Sequence, residues 1–379
     1  MDPIPSRAST ARLSGRLVLD DAVVPGRLVI DGAMIVAVEP DPSAVDGPFI
    51  TPGFVDLHVH GYGGHDAMHG PAALDGMARA LLPRGVTAFL PTAVTAALDT
   101  LDRFAADVRG WMPAAPTDGA DPLGFNLEGP FISPRRAGAQ DPAHIASPLE
   151  VPRSRLEGWL DGWRIATVAP EIDGGLELIA WLHERGVVPS LGHSAATADE
   201  ARAGYAAGAG TTTHVFNAMS GVDHRTPGLA VAALLADDAA VELIADGQHV
   251  HRDLWPLVLR AKPAGRLILV SDAVSIAGTG VRRGKLGGVP VEILWDRCTV
   301  EGTTTLAGSV IALDTAVRNL VELGVRLPRA VAAASRDPLA VIGVTDRGRL
   351  AAGQRADVVE LDDELRVLAV TKAGVRRTS

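Results

Sequence analysis

Short runs of continuous apolar residues recur along the chain, and longer amphipathic stretches lie between them. The apolar runs predict eight buried strands: Phe54–Val59, Val86–Val94, Leu123–Leu127, Arg164–Val168, Val187–Leu191, Thr211–Phe216, Val241–Ala245 and Leu267–Val270. The intervening stretches predict helices, for example Ala72–Leu82, Leu176–Arg185, Ala198–Ala207 and Leu254–Ala261. Continuous apolar strands that alternate with helices are typical of a parallel sheet covered by helices. Eight such units predict an α/β fold of the (β/α)8 TIM barrel type. An open doubly wound sheet is the alternative, but no G-x-G-x-x-G motif opens a first helix.

The two ends of the chain follow a different pattern. Short β-rich runs with frequent turn residues occupy Gly15–Val38 and Ala356–Val375. Neither end is large enough to form its own core, so we expect the two to pair as a small flanking β-sandwich. We place this flanking domain at residues 1–52 and 342–379, and the barrel at residues 53–341. A further β-like insertion, Gly284–Thr305, follows the eighth predicted strand.

Length and composition narrow the class of protein. The 379 residues suit a barrel of about 250 residues with an accessory piece. A net charge of −10 and an aromatic content of 4% argue against nucleic-acid and anionic-membrane partners. The single cysteine, Cys298, fits a reducing compartment. Met1–Asp20 has no long apolar run, and nowhere do about 18 apolar residues follow one another, so we predict a cytoplasmic protein without signal peptide or membrane span.

The first candidate chemistry is the pair His58 and His60 at the end of the first barrel strand. Residues at i and i+2 of a strand point to the same face. The carboxyl end of a barrel strand faces the mouth where barrel active sites lie. Imidazole pairs at such a place suit zinc or iron. An isolated pair of this kind is more often two half-buried strand histidines, so the interpretation depends on further ligands.

Four more candidate side chains follow later strands. Glu128 ends the third, His193 the fifth, His214 the sixth and Asp272 the eighth. Taken singly, the carboxylates could cap helices and the histidines could be hydrogen-bonded core residues. All strands of a parallel barrel, however, end on the same face, so these side chains converge on one mouth. The joint pattern predicts a metal site.

Several segments carry a resemblance to a known family. In chain order they are PGFVDLHVH (52–60), LEGP (127–130), GHS (192–194), THVFNAM (213–219), RTPG (225–228), ADGQHV (245–250), SDA (271–273) and LAGS (306–309). With them the chain resembles the amidohydrolase superfamily and, within it, the N-acetylglucosamine-6-phosphate deacetylases. The resemblance implies hydrolysis of the acetamide of N-acetyl-D-glucosamine 6-phosphate to D-glucosamine 6-phosphate and acetate.

The resemblance also implies a ligand set. Many amidohydrolases with two metals bridge them through a carboxylated lysine that ends the fourth strand, but the three lysines here are Lys262, Lys285 and Lys372, all later in the chain. A lysine bridge is therefore excluded, and Glu128 is the natural carboxylate ligand. Glu128, His193 and His214 are expected to hold one divalent metal, and His58 with His60 allows a second. One or two metals per subunit are expected, zinc first, with iron, cobalt or manganese as alternatives.

Proton transfer is assigned to Asp272, which can take a proton from the attacking water and give one to the leaving amine. Asp56 is a candidate for orienting an imidazole. By resemblance, His249 and Arg225 match positions that hold the sugar phosphate. The arginine reaches across from a neighbouring subunit in the family, which implies a homodimer. Asn217 and Ala218 match further ligand-contacting positions.

One departure from the family pattern concerns the acetyl group. Gln140 stands where the family usually has a histidine that contacts the acetyl carbonyl, and an amide can donate a hydrogen bond but cannot become cationic. An amidohydrolase acting on a different N-acyl or cyclic amide substrate is therefore kept as an alternative. A non-catalytic barrel is the third hypothesis, and loss of the metal ligands or of Asp272 would have favoured it; none is lost.

Overall fold

The computed structural model describes residues 10–378. The expectation that Met1–Asp20 carries no signal peptide falls partly on residues 1–9, which lie outside this range. Between residues 10 and 378, none of the helices combines the length and apolarity that crossing a bilayer requires.

The strands are numbered in chain order. They are β1 (Ala11–Val18), β2 (Val23–Asp31), β3 (Met34–Pro40), β4 (Phe49–Pro52), β5 (Phe54–Val59), β6 (Gly61–Tyr62), β7 (His65–Asp66), β8 (Val86–Val94), β9 (Asp121–Pro122), β10 (Phe125–Glu128), β11 (Trp163–Val168), β12 (Val188–Leu191), β13 (Thr211–Thr212), β14 (Ala240–Leu243), β15 (Leu267–Leu269), β16 (Arg283–Leu286), β17 (Val289–Leu294), β18 (Arg297–Val300), β19 (Val358–Leu361), β20 (Val367–Lys372) and β21 (Val375–Thr378).

The α-helices are α1 (Pro71–Leu81), α2 (Leu98–Trp111), α3 (Arg153–Glu157), α4 (Gly175–Glu184), α5 (Ala198–Ala206), α6 (Leu229–Leu235), α7 (Trp255–Ala261), α8 (Leu313–Glu322), α9 (Leu327–Ala333) and α10 (Arg336–Val341). Single 3-10 turns occupy Pro42–Ala44, Leu82–Arg84, Met112–Ala114, Pro134–Arg136, Pro142–His144 and Arg252–Leu254.

The predicted barrel is present. Strands β5, β8, β10, β11, β12, β13, β14 and β15 pair in that order, all parallel. Within the described chain no ladder joins β15 to β5, but the segment that follows β15 meets the end of β5 and the residue after it. Asp272 N donates to His58 O at 2.8 Å, and His60 N donates to Ala273 O at 2.9 Å. These bonds draw the first and eighth strand ends together at the mouth of the barrel.

Local sequence explains helix α2 and the early end of the sixth barrel strand. Helix α2 buries Leu101, Phe104, Ala105 and Val108, the spacing of a helix with one apolar face. The sixth strand was predicted to run to Phe216 but ends at Thr212. The backbone turns sharply after it, with φ of 27° at His214 and 77° at Phe216, and no strand can continue through left-handed residues.

The flanking domain is built from both chain ends, as predicted. Its seven-stranded sheet has the order β21-β20-β19-β4-β1-β2-β3, so C-terminal strands lie against N-terminal ones. A cluster of buried apolar side chains stabilises it, including Leu17, Leu28, Ile35, Ile50 and Val358. The first barrel strand begins at Phe54, directly after β4 ends at Pro52. The flanking sheet thereby fixes the start of the strand that carries His58 and leads into His60.

Two further clusters support the two ends of the barrel. Val55, Ala88, Ile165 and Ile268 pack with Leu339 of α10 and fill the end where the strands begin. At the other end the predicted insertion forms an antiparallel sheet of β16, β17 and β18. Its buried residues Leu286, Val291 and Cys298 pack on Val94, which ends β8, and on Val274, which follows β15. The insertion therefore lies beside the mouth.

Candidate metal centre and active-site cavity

Six side chains meet where the barrel strands end. His58 lies in β5, His60 directly follows it, and Glu128 is the last residue of β10. The other three lie two or three residues beyond β12, β13 and β15: His193, His214 and Asp272. All six are buried, none more than 6% exposed. The structure thus brings together every predicted ligand and the predicted proton carrier.

Three of these residues have an unusual backbone. The φ angles of His193, His214 and Asp272 are 46°, 27° and 50°, in the left-handed region that non-glycine residues rarely occupy. Such residues cost free energy and persist only where their surroundings hold them. Here the sharp turn directly after a strand aims each side chain back over the barrel mouth. The conformation is therefore part of how the barrel presents these groups.

Glu128 lies at the centre of the cluster. Its Oε1 atom is 3.0 Å from His193 Nε2 and 2.8 Å from His214 Nε2. The same oxygen is 3.5 Å from His58 Nε2, and Oε2 is 3.2 Å from His60 Nε2. Asp272 Oδ1 completes the arrangement, 3.1 Å from His60 Nε2 and 3.5 Å from His58 Nε2.

The donor set divides into two groups that suit a divalent metal. Glu128, His193 and His214 form one group, and His58, His60 and Asp272 form the other; in each, one ligand atom per residue lies within 4.8 Å of the others. Both groups combine imidazole nitrogens with a carboxylate oxygen, which is the ligand type of zinc and related ions. Glu128 touches both groups, so its two oxygens can serve both.

The far side of the rings shows which nitrogen is free to bind metal. His193 Nδ1 donates to the carbonyl of Arg136 at 2.9 Å, and His60 Nδ1 donates to that of Thr92 at 3.1 Å. In a neutral ring the opposite Nε2 is then an acceptor. Yet His193 Nε2 lies 3.2 Å from His214 Nε2 and faces a carboxylate. An acceptor nitrogen that faces a carboxylate in a buried site is stabilised by a cation, which a metal can supply.

The titration properties point the same way. Burial opposes protonation of His58, but the carboxylates of Glu242 and Glu128 outweigh it and raise its pKa well above the usual value. Against the same penalty, Asp272 and Glu128 raise the pKa of His60 to about 9. Burial opposes ionisation of Asp272, but the hydrogen bond to His60 and the imidazole charges lower its pKa. The cluster attracts positive charge and keeps Asp272 ionised.

Glu242 is a positioning residue that the sequence reasoning missed. Its Oε2 atom accepts from His58 Nδ1 at 3.0 Å and from the backbone N of His214 at 3.1 Å. It thereby fixes members of both ligand groups, a role typical of carboxylates behind metal-bound histidines. The sequence contains a signal for this role. Glu242 lies inside the apolar strand Val241–Ala245, and a buried carboxylate requires a polar partner.

Asp56 has a different role from the one expected. Its Oδ1 atom accepts from the backbone N of His58 at 3.3 Å and of Ser271 at 3.2 Å, and it contacts no imidazole of the described chain. Burial raises the pKa of Asp56 to about 7, against the effect of these bonds. Asp56 therefore joins the first and eighth strands, while the orienting role falls to Glu242.

The cluster forms the floor of a cavity of about 330 Å³, a size that suits a small polar ligand. Of the residues expected to contact substrate, Gln140, Asn217, Ala218 and His249 line it. Arg225 does not: it is exposed on the loop before α6, where Asp223 Oδ1 accepts from its backbone N at 2.8 Å. A second group of lining residues comes from the insertion and the segment after it: Leu286, Arg297, Thr304, Thr305 and Leu306.

Gln140 is held at both ends of its side-chain amide. The Oε1 atom accepts from the backbone N of Thr95 at 2.7 Å, and Nε2 donates to Glu128 Oε2. The side chain is buried at the edge of the cavity. It therefore contacts the predicted metal ligand Glu128 directly, an arrangement that sequence reasoning did not anticipate.

The chain is similar to known proteins over most of its length. The amidohydrolase family model matches residues 49–376. The N-acetylgalactosamine-6-phosphate deacetylase of Escherichia coli O157:H7 is 37% identical over 90% of this chain and 92% of its own length. The human N-acetylglucosamine-6-phosphate deacetylase is 34% identical over 95% of this chain and 92% of its own.

Solved structures agree. The N-acetylglucosamine-6-phosphate deacetylase of Thermotoga maritima superimposes with a TM-score of 0.91 at 33% identity, covering 97% of this chain and 100% of that one. A mutant of the Mycobacterium smegmatis enzyme, in complex with N-acetyl-D-glucosamine 6-phosphate, gives a TM-score of 0.91 at 32% identity, covering 98% of this chain and 100% of that one.

Proposed function

The chain belongs to the amidohydrolase family, and on that premise we propose that it deacetylates N-acetyl-D-glucosamine 6-phosphate, with D-glucosamine 6-phosphate and acetate as products. The bond cleaved is the carbon–nitrogen bond of the acetamide. The observation that carries the proposal is the placement of Glu128, His193 and His214 as one ligand group directly beside Asp272, on the floor of a cavity of ligand size.

The metal and the protein side chains have different roles in the proposed reaction. A divalent metal, when bound, supplies Lewis acidity and makes water a stronger acid. Asp272 lies in the same cluster with a lowered pKa, so it is ionised and can accept the proton of the attacking water. It then carries a proton to the nitrogen, because an amide anion is a poor leaving group. Burial of all six residues keeps bulk water from competing for these charges.

The two ligand groups support a proposal for the number and identity of the metals. We propose that the Glu128, His193 and His214 group is essential and that His58, His60 and Asp272 hold a second ion. Zinc is the first choice for a site of imidazoles and carboxylates; iron, cobalt and manganese accept the same ligands. Metal analysis of the purified protein decides between them.

Recognition of the sugar is assigned to other residues that line the cavity. His249 lines it, and Asp246 Oδ2 holds the ring at 2.7 Å from Nδ1. Asp246 raises the pKa of His249 against the opposing effect of burial, which favours an imidazolium beside a phosphate. Asn217 and Ala218 line the same space.

The position of Arg225 supports a role in a neighbouring subunit's site. It is exposed and lies off the cavity of its own chain, so we propose a homodimer in which Arg225 reaches the phosphate in the neighbouring site. A guanidinium grips a phosphate through two parallel hydrogen bonds, which makes it the suitable residue for this position. The cytoplasmic location predicted from the sequence remains a prediction.

A second candidate substrate is N-acetyl-D-galactosamine 6-phosphate. The observation that favours it is the identity of 37% to the E. coli O157:H7 enzyme named for that sugar. The two sugars differ only in configuration at C4, remote from the acetamide, so the metal centre serves either.

The test is an acetate-release assay on a panel of substrates. It compares the 6-phosphates of N-acetylglucosamine and N-acetylgalactosamine with the two unphosphorylated sugars, on protein of measured metal content. The highest kcat/KM is expected for N-acetylglucosamine 6-phosphate. A higher kcat/KM for N-acetylgalactosamine 6-phosphate would instead support the second candidate substrate. Turnover of neither phosphorylated sugar by metal-loaded protein would contradict the proposal.

A further inference from the structure

Arg297 is a cation at the cavity for which neither the sequence motifs nor the metal centre provide a role. It is the first residue of β18, on the insertion, and it lines the cavity together with His249. We propose that Arg297 binds the 6-phosphate from within the same subunit and so helps to determine specificity for phosphorylated sugars. This inference rests on the proposed deacetylase function and adds a residue of this chain to its phosphate-binding end.

The fold of the insertion directs Arg297 to the cavity. Its neighbour Cys298 is buried, 1% exposed, in the cluster that seats the insertion on the barrel. Successive residues of a strand point to opposite faces. Because Cys298 packs inward, Arg297 points away from that cluster. Arg297 is therefore left out of the packed face of the insertion, and it lines the cavity.

The tip of the insertion is tied to the segment that carries His249. Gln248 Nε2 donates to Asp296 Oδ2 at 2.9 Å, so the residue before His249 bonds the residue before Arg297. The positive charge of Arg297 opposes protonation of His249, which reflects their proximity. The bond between Gln248 and Asp296 ties the two segments together, and both Arg297 and His249 line the same cavity.

The guanidinium of Arg297 is available for a ligand. Within residues 10–378, no carboxylate oxygen lies within 4.0 Å of it, whereas Arg283 on the same insertion pairs with Glu301 at 3.4 Å. Arg297 is exposed, so its charge is not needed to hold the fold. An arginine without a carboxylate partner, beside a histidine, is a suitable ligand for a phosphate dianion.

The chemistry of the substrate requires cations at this place. The acetamide on C2 and the phosphate on C6 lie on opposite sides of the sugar ring. When the acetamide reaches Glu128 and Asp272, the phosphate lies away from these carboxylates. The protein carries a net charge of −10, so local positive charge is needed to offset repulsion of an anionic substrate.

The experiment compares Arg297→Ala and Arg297→Lys with the matched control Arg283→Ala, which removes the same charge from the same sheet outside the cavity. For Arg297→Ala, kcat/KM on N-acetylglucosamine 6-phosphate is expected to fall about ten- to hundredfold. Activity on N-acetylglucosamine should change less than about twofold. Arg297→Lys should keep much of the selectivity, since a point charge still attracts phosphate.

A binding measurement makes the result independent of turnover. Inorganic phosphate is the probe, and its Kd is measured by titration calorimetry on metal-loaded protein. The Kd should rise for Arg297→Ala and stay unchanged for Arg283→Ala. Equal losses on both sugars, an unchanged Kd in Arg297→Ala, or an equal effect of Arg283→Ala would each overturn the proposal. If the parent protein released acetate from no sugar, the proposed function would fail, while the phosphate titration would still decide the role of Arg297.

Discussion

The two ends of the cavity are built from different parts of the chain. At the metal end, six buried side chains stand on or directly after barrel strands, and the largest exposure among them is 6%. At the end proposed for the phosphate, His249 lies on a loop and Arg297 on an inserted sheet; Arg225, which we propose reaches it from the neighbouring subunit, lies on an exposed loop. Reacting groups need fixed geometry, which the barrel supplies, whereas specificity groups can be carried on connecting segments that the barrel only supports.

The backbone shows the same contrast. His193, His214 and Asp272 occupy left-handed conformations that only the surrounding barrel can maintain. Arg297 lies in an ordinary antiparallel strand, paired with Leu294. Changes at the metal end should therefore affect catalysis and metal content together, and changes at the phosphate end should affect substrate choice. Four predictions test this division, from the largest effect to the smallest.

The largest effect is expected at the essential metal group. His193→Gln or His214→Gln should abolish activity, because each removes an imidazole from the group that also contains Glu128. His58→Gln removes a ligand of the second group and should only reduce activity. Metal content by mass spectrometry and acetate release on the same samples provide the measurement. Full activity in His193→Gln would contradict the proposal that the Glu128, His193 and His214 group is the essential one.

Asp272→Asn should lower kcat by about 10²- to 10⁴-fold, since an amide cannot carry the proton. Glu128, His193 and His214 are unchanged in this variant, so the ion of the essential group should be retained. The measurement is single-turnover acetate release together with metal analysis. Near-normal turnover would remove Asp272 from the proposed mechanism.

Arg225→Ala tests the phosphate end across the proposed dimer. Loss of a charge-assisted contact should lower kcat/KM for the phosphorylated sugar about ten- to hundredfold and leave the unphosphorylated sugar almost unchanged. Mixing Arg225→Ala subunits with Asp272→Asn subunits should restore activity, because one site of the hybrid then has both residues. Absence of rescue in confirmed hybrids would place Arg225 within its own subunit.

Gln140→Ala should have the smallest effect on activity of the four changes. It tests whether Gln140 acts on the metal cluster or on the substrate. The change removes hydrogen bonds to Thr95 and Glu128, and a loss of about two- to tenfold in kcat/KM is expected. Because Gln140 touches Glu128, the affinity for metal should fall as well, measured by competition with a chelator. Gln140→His, which introduces the residue usual in the family, is the companion variant. A change in kcat/KM with unaltered metal affinity would assign Gln140 to the substrate alone.

Much of the metal end could be predicted from the order of residues alone. The eight apolar runs correspond to the eight barrel strands, and the flanking domain comes from both chain ends as its composition indicated. The residues at the strand ends do converge, since parallel strands of a barrel all finish at one mouth. These inferences succeed because hydrophobic periodicity is a local property of each segment. The alternation of strands with helices then indicates that the strands run parallel.

What the tertiary structure alone decided are contacts between distant segments. Glu242 supports His58 across 184 positions, Asp56 joins the first and eighth strands across 215, and Gln140 bonds Glu128 instead of standing free. Arg297 lines the cavity on a sheet that packs on the barrel through Cys298 and is tied to Gln248 through Asp296. Hydrophobic periodicity does not predict such pairings. A buried polar side chain in the sequence indicates that a hydrogen-bond partner is needed, but it does not indicate which residue that partner is. The sequence by itself determined the barrel and the candidate ligands at its mouth, whereas packing decided which groups orient them and which cation lines the cavity.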